Sequence, residues 1–217
     1  MEVIDFIVRN WHEILHRAGE HAYFVAIAVF IAVATGVPIG IWITFNRKAA
    51  GIILYLAGIM MTVPSIALFG IMIPVLSIFG SGLGVVPAIV ALVLYSQLPI
   101  IRNTYAAIKS VDPSIIDAGI GMGMSRMQVL LRVQLPMALS VIFAGIRVAV
   151  VMSIGIGAIA AFIGAGGLGH YIFMGINQSY DAMIKTGALC VAIMAVVADY
   201  IFGRIEYRMV SKGLRTN

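Results

Sequence analysis

Apolar residues in this chain come in long unbroken runs, with polar residues confined to short gaps. Five runs reach the length a helix needs to cross a bilayer, about 20 residues. They span roughly Tyr23 to Phe45, Ile52 to Phe79, Val85 to Ile101, Leu139 to Ile163 and Ile184 to Phe202. The second is too long for one straight helix and is interrupted by Pro64 and Pro74. Proline removes a backbone donor and bends a helix, so this run predicts one kinked span with an extension at its far end. Stretches of small residues such as Ser153–Ala161, "SIGIGAIAA", predict close helix–helix approach.

The first 21 residues follow a different pattern. Charges recur every few positions, while Ile4, Ile7, Trp11, Ile14 and Ala18 fall on one helical face. This predicts an amphipathic helix over 1–21 lying in the membrane interface. Glu2 and Asp5 stand where a signal peptide would be basic, which argues against a cleaved leader.

Composition agrees with the pattern. The chain is 62% hydrophobic and 11% charged, against about 45–50% and about 25% for a soluble domain. It therefore reads as an all-α integral membrane protein of about five spans, located in the plasma or inner membrane. A transmembrane domain is expected over 22–203 and a cytoplasmic tail over 204–217. The net charge of +5 carries no basic run interleaved with aromatics and speaks for orientation, not for nucleic acid. Arg47 and Lys48 fill the first gap, Arg102, Lys109, Arg126 and Arg132 the third, and Arg204, Arg208, Lys212 and Arg215 the tail. The second gap has no charge and the fourth only Lys185. Basic gaps stay in the cytoplasm, so the amino terminus is expected outside and the carboxyl terminus inside. Cys190 sits alone in an apolar run and reads as a small buried hydrophobe.

Two enzyme-like motifs need weighing. "HEILH", His12 to His16, has the spacing of a zinc-binding helix with a glutamate base. His21 lies one residue short of the third-ligand position, which Ala22 occupies. A metalloprotease also needs a cleft and a substrate-binding edge, which about twenty residues before a span cannot build. "GAGGLG", Gly164–Gly169, has the form of a dinucleotide loop, but a membrane helix precedes it where a strand is required. A tight glycine turn closing the fourth span fits better. Nor is there a phosphate-binding loop with its lysine, and mid-membrane acidic residues or inverted repeats of a coupled carrier are missing. The chain is therefore expected to be no enzyme and to bind no cofactor or metal.

The third gap, about 109–137, has too much local structure for a connector. Asp112 followed by Pro113 starts a helix. Gly121 and Gly123 allow a sharp turn, and Ser125 with Gln128 forms a capping box ahead of a second helix that meets Pro136. The result is two short helices joined by a glycine elbow, carrying apolar side chains that fit a protein partner.

Within this gap, "DAGIGMGMSRMQVLLRVQLP", Asp117 to Pro136, resembles the EAA motif of ABC importer permeases: Glu-Ala-Ala, three residues, Gly, nine residues, then Ile-x-Leu-Pro. Asp117, Ala118 and Gly119 take the first places, Gly123 the glycine, Val133 the isoleucine, and Leu135 and Pro136 complete it. Aspartate for glutamate shortens the anchoring side chain; glycine replaces the second alanine and valine the isoleucine. The resemblance implies coupling helices that dock on a cytoplasmic ABC ATPase dimer, which consumes ATP and Mg. It also implies an extracytoplasmic substrate-binding protein and a second permease, either a copy of this chain or a related one. Blocks such as "TVPSIALFGIMIPVL", "PAIVALVLYSQLPIIRNTYAAI" and "AAFIGAGGLGHYIFMGI" are similar to osmoprotectant permeases for glycine betaine, carnitine or choline. Another small solute such as an amino acid is the alternative, and an ATPase-independent channel or carrier a more distant one. Pro64 and Ser65 at the break, and Tyr95, Ser96 and Gln97 in the third span, are the candidates for lining the solute route.

Overall fold

The computed structural model describes residues 2–209. Nine α-helices and no strand occur among them. They are α1 Glu2–Trp42, α2 Arg47–Thr62, α3 Ser65–Ser77, α4 Val85–Lys109, α5 Pro113–Gly121, α6 Arg126–Val129, α7 Leu135–Ile159, α8 Gly169–Asn177 and α9 Asp181–Met209. Four segments are long and apolar enough to cross a membrane, and the bent pair α2–α3 makes up to five.

The core is a bundle of α1, α4 and α7, with α9 laid along α7 and α8 and with α2 and α3 against α4. Phe24, Ala28 and Ala32 of α1 meet Leu92 and Ile100 of α4 and Ala149 and Ile154 of α7. Lipid tails are as apolar as leucine, so helices here associate through close packing and not through loss of water. The contact of α7 with α4 shows how close: a Cβ on Gly145 would lie 2.6 Å from the Cβ of Asn103 and 2.8 Å from the Pro99 carbonyl. On α9 the apolar side chains Ile193, Val196, Val197 and Ile201 face outward, as lipid-facing residues do.

Several expected boundaries move. The helix expected over 1–21 does not end before the first span; α1 is one helix of 41 residues. At 1.5 Å per residue it is about 60 Å long, twice the hydrocarbon thickness. No proline interrupts it near residue 21, and Ile14, His21 and Phe24 are buried in succession across the supposed junction. Its covered face is also rotated from the expected one. Ile7, Ile14 and Ala18 pack with Phe6 against Leu168, Tyr171 and Met183, whereas Ile4 and Trp11 are exposed.

In the second span the two prolines act differently. The chain turns by 102° between α2 and α3, and the turn is at Pro64 alone. Val63, ahead of that proline, is extended at φ −69°, ψ 126°, as a pre-proline residue prefers. Pro74 lies inside α3 without ending it, and a bend this large is a break, not the expected kink. The third span continues through Pro99 to Lys109, about two turns beyond its expected end. Likewise α9 runs through the expected tail start at 204 to Met209, so only 210–217 of that tail, with Lys212 and Arg215, fall outside the described residues.

Connectivity sorts the loops to two ends. One end carries the amino-terminal half of α1, the loop before α4 and the glycine turn after α7; the Gly84 N–H donates to the Ile163 carbonyl there at 2.8 Å. The other carries α5 and α6, held against the end of α4 by the Gln134 side-chain amide donating to the Ile108 carbonyl at 3.4 Å.

Candidate coupling knob and translocation route

The knob between α4 and α7 is built from locally satisfied backbone. Asp112 caps α5, its carboxylate accepting the Ser114 N–H at 2.8 Å, with Pro113 at the first helical position. That backbone bond holds the Asp112 carboxyl below the usual carboxylate range. At the other end, the Met124 N–H donates to the Gly119 carbonyl at 3.1 Å and the Gly123 N–H to the Ile120 carbonyl at 2.9 Å. This six-to-one and five-to-two pair is a Schellman motif, with Gly123 in its left-handed position at φ +85°. Gly121 stays inside α5, so of the two expected elbow glycines only Gly123 turns the chain.

The capping box then starts α6. Ser125 Oγ accepts the Gln128 N–H at 3.3 Å, and Gln128 Oε1 accepts the Ser125 N–H at 2.7 Å. The second short helix does not stop before the span. Leu130–Gln134 forms a π-helical turn, with the Leu135 N–H bonded to the Leu130 carbonyl, and α7 follows without a gap. Pro136 has no N–H to offer the carbonyl four residues back; the wider turn just ahead of it takes up the mismatch where a break was expected. The knob and the fourth span are thereby one continuous helical rod from Arg126 to Ile163.

The motif residues divide by position. Asp117, Ala118, Gly123 and Pro136 are exposed, Val133 and Leu135 are half-buried, and Gly119 is buried. A Cβ on Gly119 would stand 3.3 Å from Val129 Cγ2, so this small residue lets the elbow fold α5 onto α6. Between the exposed motif positions lie apolar side chains with no cover in the chain: Ile120, Met122 at 77% exposure, Met127 at 58% and Leu131. None is a motif position; the signal for them was an apolar residue on the open side of a capped short helix.

The route candidates do not form one surface. Tyr95 Oη donates to the Val63 carbonyl, the acceptor freed by the break at Pro64. Pro64 is exposed and Ser65, the first residue of α3, half-buried beside it. Ser96, in contrast, is buried and hydrogen-bonded to Ser153 of α7 at 3.0 Å between hydroxyls. Gln97 donates to Thr35 Oγ1 of α1 at 3.0 Å, and its own carbonyl oxygen is buried without a partner. Successive helix residues diverge by a third of a turn, so the three cannot point the same way.

One ion-pair cluster joins two spans. Arg147 donates from Nε and Nη2 to both Asp199 oxygens, at 2.6 and 2.7 Å, and from Nη1 to Glu206 at 3.1 Å, tying α7 to α9. At the opposite end His16 and Arg17 turn to Glu20. No group of three or more His, Cys, Asp or Glu side chains able to hold a metal occurs among the described residues.

Comparison with known proteins gives concordant matches. The family described as binding-protein-dependent transport system inner membrane component matches residues 36–215. The chain is 45% identical over 215 residues to the osmoprotectant import permease protein OsmW of Salmonella typhimurium, covering 99% of this chain and 100% of that one. It is 40% identical over 214 residues to a glycine betaine/carnitine/choline transport system permease protein of Bacillus subtilis, OpuCB, covering 99% and 96%. A choline transport system permease protein of the same organism, OpuBB, is 40% identical over 213 residues, covering 98% and 96%. In fold it is similar to the MetNI methionine ABC transporter in an inward-facing conformation, with a TM-score of 0.79, 24% identity and 91% of this chain and 97% of that one covered. A crystal structure of an amino acid ABC transporter matches with a TM-score of 0.79 at 17% identity, covering 93% of this chain and 96% of that one.

Proposed function

Because the chain belongs to the family of binding-protein-dependent transport system inner membrane components, we propose that it is the permease subunit of an ATP-driven importer for a small osmoprotectant such as glycine betaine, carnitine or choline. The knob carries this reading: two capped helices with uncovered methionine and isoleucine side chains, fused through one rod to a transmembrane helix. A partner that seats this knob moves the fourth span with it. The partner is a cytoplasmic ATPase dimer that binds ATP and Mg; Asp117, Ala118, Gly119, Gly123, Val133, Leu135 and Pro136 are the positions that shape the seat. The solute class rests on the relatives named for osmoprotectants. A solute-binding protein delivers it from outside, and a second permease, a copy of this chain or a related one, completes the route, since up to five spans are few for a self-contained pore.

Co-expression of the chain with an ABC ATPase and a binding protein encoded beside it tests the reading. The expected result is a co-purifying complex whose ATP hydrolysis rises with betaine-loaded binding protein. A chain that purifies without any ATPase overturns it.

Orientation follows from the basic gaps and is tested separately. In a Cys190→Ser background, single cysteines at Ser81 and Gln178 should react with an impermeant thiol reagent in intact cells. A cysteine at Ser125 should react only after permeabilisation. Labelling of position 125 from outside would place the knob beyond reach of any cytoplasmic ATPase.

For the route, Pro64, Ser65 and Tyr95 around the broken span are the positions we favour over Ser96 and Gln97, whose polar groups are engaged between helices. Ser65→Phe should lower uptake by about tenfold, equivalent to ~1.4 kcal/mol on the transport barrier, with ATPase co-purification unchanged. Normal uptake by that variant would take the break off the route.

A further inference from the structure

The two motifs without a place in transport, "HEILHRAGEH" and "GAGGLG", meet each other at the glycine-turn end. Glu20 Oε2 accepts the Gly167 N–H at 3.1 Å and Arg17 Nη1 at 3.2 Å. Arg17 also reaches Glu13 at 3.6 Å, and His16 faces the other Glu20 oxygen at 3.6 Å. One residue on, His21 is fully buried and donates from Nε2 to the Ile154 carbonyl of α7 at 3.0 Å. The two contacts differ in kind. The histidine is packed among Phe24, Gly157 and Gly167 and joins helix to helix. The glutamate is 36% exposed and holds a turn whose Gly164, Gly166 and Gly167 all have positive φ. Such a turn has conformations to move into, and a half-exposed carboxylate contact is weak enough to break.

What the turn covers gives the contact its meaning. Ile163 and Ala165 are buried on Leu68 and Phe69 of α3 and on Tyr95 of α4. Tyr95 in turn holds the Val63 carbonyl at the break. The Ile163 carbonyl also accepts the Gly84 N–H at 2.8 Å, closing the loop before α4 onto the same place. The turn is therefore a lid over the broken span, reached from α1 by Glu20.

Resting on the transport reading and its outside placement of this end, we propose that Glu20 is a positioning residue of an outer gate: its contact with Gly167 is a releasable catch that keeps the turn over the broken span, with His21 as the fixed pivot. Glu20 touches no solute on this account. It acts by holding Gly167, and Arg17 acts by holding Glu20. Opening toward the binding protein breaks the Glu20 bond, swings the turn on its glycines and uncovers Ala165, while the His21 bond keeps α1 on α7.

The test uses the full complex in membranes, with Ala165→Cys as reporter in a Cys190→Ser background. An impermeant maleimide added to intact cells should label position 165 slowly in the parent and several-fold faster with Glu20→Ala. Glu20→Gln keeps an acceptor oxygen of the same shape but loses the charge, and should fall between. Hydrolysis by the purified complex without binding protein should rise in the same order. Equal labelling and equal basal hydrolysis in parent and both variants would reduce the contact to packing and overturn the proposal. If Glu20→Ala fails to assemble, the isosteric Glu20→Gln carries the decision on the same two readouts. The transport reading is judged apart, by whether loaded binding protein stimulates the parent complex at all.

Discussion

Gly123→Val is expected to leave the chain inserted and assembled while abolishing most of the hydrolysis stimulated by loaded binding protein, and uptake with it. The elbow demands this outcome. Gly123 stands at φ +85°, where a side chain costs about 1–2 kcal/mol and a β-branched one more. An added Cβ would meet nothing within 4 Å, so no clash spreads into the bundle and the damage stays in the knob. Relief of the strain breaks the two bonds that close α5, from Gly123 to Ile120 and from Met124 to Gly119. The angle of α5 to α6 then changes, and Ile120, Met122 and Met127 no longer present one surface. Basal hydrolysis by the partner should persist, since its own active site is untouched. Asp117→Ala should show the same pattern more mildly, because it removes one exposed carboxylate and leaves the turn intact. Gly166→Ala, in the glycine turn at the opposite end of the molecule, should co-purify with the ATPase as the parent does. The measurements are stimulated hydrolysis, uptake and subunit co-purification on one preparation. Normal transport by Gly123→Val would make the knob a connector.

Local chemistry explains which features were legible in the sequence. The Asp112 cap, the Ser125–Gln128 box and the Gly123 turn are each specified within a few residues, and the structure forms all three. Asp117 and Gly119 were placed only through the resemblance to the EAA motif, and at Pro64 a kink was legible but not the 102° break. Features set by distant partners were not legible. The side chains of Tyr95, Ser96 and Gln97 look alike as polar groups in an apolar run, yet they bond to Val63, Ser153 and Thr35 on three different elements. Pro74 read as an interruption equal to Pro64, but it sits within continuous helix. The continuity of α1 through residue 21 depends on Leu168 and Tyr171, about 150 positions away in sequence. Short helix α8 was missed because "GHYIFMGIN" is only nine residues long and follows a turn that looks like the end of a span. Its place is fixed by burial of Tyr171 against α1 and of Gly175 beneath α9, contacts that periodicity alone does not carry.

That α7–α8 junction yields the prediction with the largest effect on folding. In Gly169→Ala the new Cβ would fall 1.8 Å from the Ala158 carbonyl oxygen and 2.7 Å from its carbon. Both are backbone atoms of α7, so no side-chain rotation relieves the overlap; α8 must lift away. Leu168 and Tyr171, each nearly fully buried, would lose their packing against Ile14 and Met183 as it does. A loss of several kcal/mol follows, the range reached when a core is overpacked and its neighbours are pulled apart, and it is a large share of the ~5–15 kcal/mol that holds a typical domain together. The variant should accumulate poorly, or elute as aggregate from detergent and unfold many degrees below the parent. Gly121→Ala in α5 is the matched contrast: it sits in a helix with nothing within 4 Å of the added methyl, and should be neutral or gain about 0.4–1 kcal/mol through a less flexible unfolded chain. Folded yield and thermal unfolding of the two variants side by side give the reading. If Gly169→Ala matches the parent in both, α8 does not cross α7 at backbone contact, and the lid that Glu20 holds has no fixed floor beneath it.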